Sequence, residues 1–344
     1  MSSEQQPPRR PPRRNWSAVI LIALLALVLG GLIYTRPHES VRAAGLEQIT
    51  DAGQLRLMAP ADPGGGWDQT ARAMQSALVP IIGRSEVYNV GGAGGTIGLA
   101  QFQQMSGRPN ELMVMGAIMV GAIETNESRY GLDDVTPIAR LLTEYQVIVV
   151  PESSPITSVE DLRDALRADV GAVSFAGGSA GGVEQVLAGE LAQAVGANPA
   201  QVSYVAHSGG GESLSTVLSG RASAGLSGVS EIKPYIDSGD VRALAVSAPE
   251  RVANLPDVPT LRERGIDVEV QNWRGVAAPS GLTPEQRDAA TRLIREMSET
   301  AEWRTLLDER GWRPAYLDGP AFVEFVRGDV DQTRDTLRQI GLIS

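Results

Sequence analysis

Glycine is concentrated in four short loops of this 344-residue chain, and each loop lies between an apolar, strand-like segment and a helix-like segment. The four strand–loop–helix units are residues 55–79, 86–104, 172–195 and 202–218. Their glycine-rich loops are residues 62–68, 91–96, 177–182 and 207–212. Strands that alternate with helices form mostly parallel sheets, so the repetition predicts an α/β fold with a mostly parallel sheet.

The position of these loops predicts a binding site for an anion. In parallel sheets, ligands bind beyond the carboxyl ends of the strands, and all four loops fall there. Each loop leads into a helix N-terminus, where unpaired N–H groups and the helix dipole favour negative charge. Tight turns without a ligand would explain one such loop. Four loops of one layout, two before residue 100 and two after residue 170, favour two lobes facing one cleft.

Composition excludes several other classes of protein. The chain has no cysteine, which excludes a disulfide scaffold, a cysteine nucleophile and a lipid anchor on cysteine. With only two histidines, His38 and His207, we expect no metal site, and we expect no cofactor. The formal net charge is -11, and six arginines against two glutamates up to Ala44 give that segment +4, which leaves -15 for the remainder. So acidic a body argues against nucleic acid as a partner.

Residues 1–45 have the pattern of a membrane-targeting segment. Two Arg-Arg pairs and two Pro-Pro pairs precede an apolar run from Ala18 to Tyr34. Positive charge before an apolar run predicts a cytoplasmic N-terminus and a translocated remainder. About 17 apolar residues is the lower limit for a spanning helix. We therefore expect a signal anchor, or a signal peptide cleaved near Ala43, and either outcome places residues 46–344 outside the cytoplasm. A buried core helix is the other interpretation.

Glycine-rich loops also occur in three other kinds of site: P-loops, dinucleotide-binding sites and the nucleophile elbow of serine hydrolases. The chain lacks GxxxxGK[ST] and its sole lysine is Lys233, which excludes a P-loop, while Gly92–Gly98 misses the dinucleotide fingerprint by one residue. Gly177–Gly181 matches the G-x-S-x-G elbow of serine hydrolases, with Ser179 as nucleophile. The histidine that follows, His207, comes without an aspartate in between, contrary to the usual triad order. A Ser179 hydrolase stays an alternative.

Two loops also carry a family resemblance. Residues 63–72, PGGGWDQTAR, and residues 90–98, VGGAGGTIG, resemble the two signatures of the substrate receptors of tripartite tricarboxylate transporters, the Bug receptors. The likeness covers nearly all of residues 50–344. It continues at residues 135–139, 149–151, 244–247 and 255–260.

The resemblance implies a type II periplasmic-binding-protein fold, with two lobes, a hinge and a ligand cleft between the lobes. It implies capture of a small carboxylate, a dicarboxylate or a tricarboxylate such as citrate, delivery to a two-subunit membrane permease, and no catalysis. Where relatives often have Tyr-Lys-Gly-Gly, this chain has Ala-His-Ser-Gly-Gly at 206–210, so it lacks that lysine charge. A sensory or scavenging binder for another membrane partner is the alternative.

These considerations predict lobe 1 at residues 46–145 plus 248–344 and lobe 2 at residues 146–247. The chain would cross between lobes near residues 146–151 and 245–250, and C-terminal helices around 284–299 and 320–340 would pack on lobe 1. The predicted ligand-binding residues lie in the loops and at strand ends: Gly65, Gly66, Trp67, Asp68, Gly92, Ala93, Gly94, Gly95, Thr96, Gly116, Ala117, Ser179, Ala180, Gly181, His207, Ser208, Ser227 and Trp273.

Some of these residues have a second interpretation. Asp68 would repel an anion and suits the stabilisation of a helix N-terminus, while Trp67 could pack within a lobe. His207 could be a structural histidine rather than a ligand contact. Arg72 and Arg274 are possible carboxylate partners or members of surface ion pairs.

Overall fold

The computed structural model describes residues 47, 49, 53–208 and 210–344. The predicted signal anchor or signal peptide, residues 1–45, lies outside the described residues. Leu46–Ser344 form one compact unit. Within the described ranges, no helix has both the length and the apolar character needed to span a membrane.

The described part of the chain alternates strands and helices, as the sequence predicts. The strands are β1 Arg56–Ala59, β2 Glu86–Asn89, β3 Glu111–Gly116, β4 Thr136–Pro151, β5 Ser174–Gly177, β6 Ser203–Ala206, β7 Ala224–Gly228, β8 Val241–Val246, β9 Gln271–Ala278 and β10 Arg313–Asp318. The α-helices are α1 Gly66–Ile82, α2 Thr96–Phe102, α3 Ala117–Thr125, α4 Val159–Ala168, α5 Val183–Ala194, α6 Gly210–Leu218, α7 Val229–Asp237, α8 Pro284–Ser298, α9 Ala301–Arg310 and α10 Gly319–Gln339. All four strand–loop–helix units are present.

The expectation of a mostly parallel sheet is wrong. Among the described residues the strands form one ten-stranded mixed sheet, in the order β2-β1-β3-β9-β4-β7-β5-β6, with β8 and β10 also paired to β4. The glycine-loop units do pair in parallel, through β1–β2, β1–β3, β5–β6 and β5–β7. Antiparallel pairing arises in the middle of the sheet, where β9 runs opposite to β3 and to β4, and β4 runs opposite to β7.

Strand β4 joins the two parallel groups. Its residues 136–145 pair with β9, and residues 146–151 pair with β7 and β8. The change of partners falls between Tyr145 and Gln146, next to the predicted crossing. Residues 141–150 of this strand are all buried, and burial on both faces explains why residues 147–150 are all apolar. The division into two lobes remains a prediction.

The helices bury the faces that their sequence periodicity predicts. Ala71, Met74 and Leu78 of α1 are completely buried. Burial of a leucine or methionine side chain contributes roughly 1.5–3 kcal/mol, so this face attaches α1 firmly to the sheet. Helix α8 begins where its sequence indicates, because Thr283 and Gln286 form a reciprocal capping box in front of Pro284.

The C-terminal helix contacts more of the fold than the sequence suggests. Arg334 of α10 forms an ion pair with Glu124 of α3 at 2.8 Å, on the β1–β3 side of the sheet. Ile340, just beyond α10, packs against Gly189 of α5, where a Cβ would lie 2.9 Å from its side chain. The C-terminal segment therefore contacts structure on both sides of β4, whereas the sequence predicts packing on lobe 1.

Candidate functional site

The four glycine loops converge on one small cavity of about 70 Å³. Most of its lining residues come just after the carboxyl ends of the six strands that pair in parallel. One more lining residue, Arg274, belongs to β9. The lining residues are Pro60, Ala61, Gly65, Gly66, Trp67, Gly92, Gly94, Gly95, Ile118, Gly178, Ser179, Glu184, Ser208, Gly210, Glu231 and Arg274. The cavity thus lies where ligands bind in parallel sheets.

The first loop brings Trp67 and the N-terminus of α1 to the cavity. A Cβ on Gly66 would overlap the side chains of Arg274 and Glu231, so only glycine fits there. Trp67 is 5% exposed, and its indole Nε1 has no hydrogen-bond partner among the described residues. A buried indole N–H without a protein partner is costly, and a ligand acceptor that reached it would remove that cost.

The second loop approaches the third loop across the cavity. Gly94 and Gly95 have φ values of 60° and 87°, which glycine adopts without strain. A Cβ on Gly94 would overlap Ala122 and would lie 3.3 Å from the Cβ of Ser179. Glycine here lets the loops that follow β2 and β5 come into contact.

The third and fourth loops are held by local hydrogen bonds. Gly181 N–H donates to Gln185 Oε1 at 2.8 Å, and Thr125 Oγ1 of α3 donates to the carbonyl of Ala180 at 3.2 Å. His207 N–H donates to the carbonyl of Gly177 at 3.1 Å. These contacts leave Ser179 and Ser208 facing the cavity.

One buried ion pair forms the floor of the site. Arg274 and Glu144 are each 1% exposed, and Arg274 Nη2 lies 2.6 Å from Glu144 Oε2. The other oxygen of Glu144 accepts the N–H of Ser230 at 2.8 Å, in the first turn of α7. Glu231 lies 3.4 Å from the same guanidinium nitrogen. The positive charge of Arg274 is therefore already balanced within the protein.

Two glutamates of the cavity wall have strongly perturbed acidity. Burial raises the pKa of Glu184 to about 7, against a smaller opposing effect of its own backbone N–H. Burial likewise raises the pKa of Glu231 to about 7, opposed by Arg274 and by the N–H of Gly66. Glu184 is 6% exposed, and its Oε2 has no partner among the described residues. Desolvation disfavours the charged form of both groups.

These glutamates modify the expected role of the helix N-termini. The N–H of Gly66, predicted to bind a ligand carboxylate, faces Glu231, and the start of α7 is capped by Glu144. The chain itself therefore supplies carboxylates at two helix N-termini near the cavity. Trp67 and the loops around Gly94 and Ser179, which also line the cavity, stay the predicted places for ligand donors.

Eight of the predicted ligand-binding residues line the cavity, and ten lie outside its walls. Those in the walls are Gly65, Gly66, Trp67, Gly92, Gly94, Gly95, Ser179 and Ser208. Those outside are Asp68, Ala93, Thr96, Gly116, Ala117, Ala180, Gly181, His207, Ser227 and Trp273.

Several of the excluded side chains have structural partners. Asp68 accepts hydrogen bonds from Gly64 N–H, Asn89 and Arg72, which lower its pKa and hold the first loop to α1. Thr96 Oγ1 donates to the carbonyl of Ala93. The Trp273 indole packs edge-on against Phe322 and donates to Asp329 at 2.9 Å, away from the cavity.

Three further predicted residues do not line the cavity because of where their backbone lies. Gly116 lies behind Trp67, and a Cβ there would overlap the carbonyl of Trp273. Ala117 follows it in the buried first turn of α3. Ser227 lies in the wall of an adjoining space of about 330 Å³, which shares Gly65, Gly210 and Glu231 with the cavity.

Sequence reasoning missed the acidic residues of the site. Glu184 and Glu231 were not predicted as ligand contacts, although each lies in the first turn of a helix that follows a parallel strand. That position is the signal that would have found them. Arg274 was expected as a carboxylate partner or as a member of a surface ion pair. It does form an ion pair, with Glu144, but both side chains are buried, so the expected surface position is wrong.

The arrangement does not form a hydrolase triad. His207 Nδ1 lies 3.9 Å from Glu212 on the exposed side of the loop, and no described hydrogen bond joins His207 to Ser179. Within the described ranges, no cluster of acidic and histidine side chains could hold a metal ion.

Residues 70–342 match the family described as "Tripartite tricarboxylate transporter family receptor". The chain belongs to this family. It is therefore an extracytoplasmic solute-binding receptor and not an enzyme, as the sequence resemblance indicated.

Individual relatives agree with this assignment. Protein BugT of Bordetella pertussis is 25% identical over 296 residues, which cover 84% of this chain and 90% of that protein. The periplasmic binding protein BugD has the same fold, with a TM-score of 0.76, 22% identity and coverage of 84% and 98%. MatC of Rhodopseudomonas palustris, solved with bound malate, has a TM-score of 0.71, 22% identity and coverage of 83% and 98%.

Proposed function

We propose that this receptor captures a small carboxylate in the cavity between the glycine loops and delivers it to the permease of a tripartite transporter. The observation that carries the proposal is the convergence of four glycine loops on one cavity beside an unpartnered indole N–H. Backbone donors at this place suit a carboxylate in a protein whose overall charge is strongly negative.

A structural relative supports the ligand class. MatC, which shares the fold, was solved with malate, a small dicarboxylate. The cavity here is small, so it suits an acid of a few carbon atoms. Citrate-type acids belong to the same proposal, since the first glycine loop carries the tryptophan-containing signature of residues 63–72.

We further propose that binding closes two lobes about β4. The division would run between Tyr145 and Gln146, where the strand changes its pairing partners. A ligand that contacts loops of both lobes would stabilise the closed arrangement. The apolar run Ala18–Tyr34 would keep the receptor at the membrane or direct its export.

A thermal-shift screen of the full chain against small mono-, di- and tricarboxylates tests the proposal. We expect at least one acid to raise the melting temperature, because a ligand that binds only the folded state stabilises it by about 2.7 kcal/mol at one hundred times its Kd. Sugars and neutral esters of the same size are the controls. A screen in which no acid shifts the melt would contradict the proposal.

A further inference from the structure

The cavity contains more carboxyl groups than a site for a purely anionic ligand should. Its one cationic side chain, Arg274, is already paired with Glu144 at 2.6 Å. Two further carboxyl groups, those of Glu184 and Glu231, line the same walls. A dicarboxylate bound there would repel the ionised forms of these two groups in a poorly solvated space, whereas a cation would favour them.

Glu184 is placed as a ligand contact rather than as a structural group. The Glu184 residue is only 6% exposed, and its Oε2 has no protein partner among the described residues. A Cβ on Gly178 would lie 3.0 Å from that oxygen, so the glycine loop leaves room for the carboxyl group. A buried acceptor without a donor is costly, and a ligand donor would remove that cost.

Among the described residues, the surroundings of Glu184 supply no free cation. The nearest charged or titratable groups are Arg274 on β9, Glu144 on β4, Glu231 on α7 and Tyr204 on β6. Arg274 is engaged with Glu144, and the Tyr204 hydroxyl donates to the carbonyl of Gly178 at 3.0 Å.

We infer that the ligand is a carboxylate that also carries a protonated amino group, which Glu184 and Glu231 bind. The ligand carboxylate would face the Trp67 indole and the loops around Gly94 and Ser179. A positive charge neutralises the two glutamates, whereas a hydroxyl group would supply a donor without neutralising them. This inference rests on the proposed function and narrows its ligand class.

The test compares succinate, L-malate and L-aspartate, which share one four-carbon dicarboxylate skeleton and differ at one substituent. Calorimetry of the full chain at pH 7, in two buffers of different ionisation enthalpy, gives the affinity and the number of protons exchanged. We expect aspartate to bind at least tenfold more tightly than the other two acids and to release protons. Succinate should take up protons, since it binds best when the glutamates are neutral.

Variants identify the responsible group. Glu184→Gln should lower the affinity for aspartate at least tenfold, and it should leave the affinity for succinate unchanged or increase it. Glu190→Gln, on the same helix but outside the cavity walls, should keep the preference of the unmodified chain. The three-carbon set propionate, lactate and alanine, and the five-carbon set glutarate, 2-hydroxyglutarate and glutamate, extend the comparison to other ligand lengths.

The outcomes separate this inference from the function on which it rests. If acids bind but the amino member is not the tightest in any set, or if Glu184→Gln keeps the preference, the inference is wrong and the receptor proposal stands. If no acid in any set binds, both are overturned.

Discussion

Arg274 and Glu144 determine the electrostatics of the site at the scale of single residues. Both are almost completely buried, and Glu144 uses one oxygen for the arginine and the other for the N–H of Ser230. Removing one partner of such a pair typically costs about 3–5 kcal/mol, because the other charge stays buried. The pair therefore serves mainly to hold β4, β9 and α7 in place around the cavity.

Glu184 should make the stability of the unliganded chain depend on pH. Its pKa is raised from the usual 4.5 to about 7, so the folded chain holds this proton more tightly than the unfolded chain. The resulting stability is present below pH 4.5 and is lost as the pH rises through about 7. Between pH 5 and pH 8, we expect the free energy of unfolding to fall by about 2–3 kcal/mol through this group.

Denaturant unfolding of wild type and Glu184→Gln at pH 5, 6, 7 and 8 measures this contribution. Between pH 5 and pH 8, the free energy of unfolding should fall by about 2–3 kcal/mol less in Glu184→Gln than in wild type. Glu299→Gln, at an exposed position, should behave like wild type. Parallel pH profiles for wild type and Glu184→Gln would contradict the burial of an acidic group there.

Residue identities were only partly readable from the sequence. Gly94, Gly95 and Trp67 were predicted because glycine-rich turns before helices have a recognisable pattern. The directions of side chains were not readable, since Asp68 turns toward Arg72 and Trp273 toward Asp329 through contacts that only the packed fold creates. Glu184 was missed because a negatively charged side chain is not expected to line a site for a negatively charged ligand.

At the scale of elements, the glycine loops allow neighbouring loops and side chains to approach the backbone closely. The loop after β2 contacts the loop after β5 because Gly94 has no side chain. The loop after β1 allows Arg274 and Glu231 to reach the N-terminus of α1 because residue 66 is glycine. The same sequence feature therefore both shapes the cavity and brings its charged groups together.

Substitution of Gly94 by alanine should impair binding more than folding. Alanine at φ 60° costs about 1–2 kcal/mol, and its Cβ would push Ala122 and the Ser179 loop apart. Gly83→Ala is the matched control, because Gly83 has φ 74° with open space around its Cβ position, at the far end of α1.

Calorimetric titration with the most stabilising acid compares the two variants. We expect Gly94→Ala to lose at least tenfold in affinity and Gly83→Ala to bind like wild type, although both unfold more easily. Equal affinities in the two variants would remove the second loop from the site.

At the scale of the whole molecule, the alternating segments correctly predicted the α/β class and the order of the four units. They gave no information on the direction of β4 and β9, because strand direction depends on which distant segments pair. The sequence also gave no sign of β10 and α9. Helix α10 was expected in the right place, but its contact with Gly189 depends on long-range packing.

The contacts of α10 on both sides of β4 bear on any motion of the molecule. Its Arg334 pairs with α3, and Ile340 beyond its end packs on α5. If the lobes rotate about Tyr145–Gln146, the contacts of this C-terminal segment on one side of β4 must shift or break. Closure is therefore expected to be a modest rotation.

A crystal structure of the full chain with the most stabilising acid tests the central claim most directly. The account predicts the acid inside the cavity, with a carboxylate oxygen within about 3 Å of Trp67 Nε1 and of backbone N–H groups in the loops around Gly94 and Ser179. An acid bound elsewhere, with the cavity between the glycine loops empty, would contradict it.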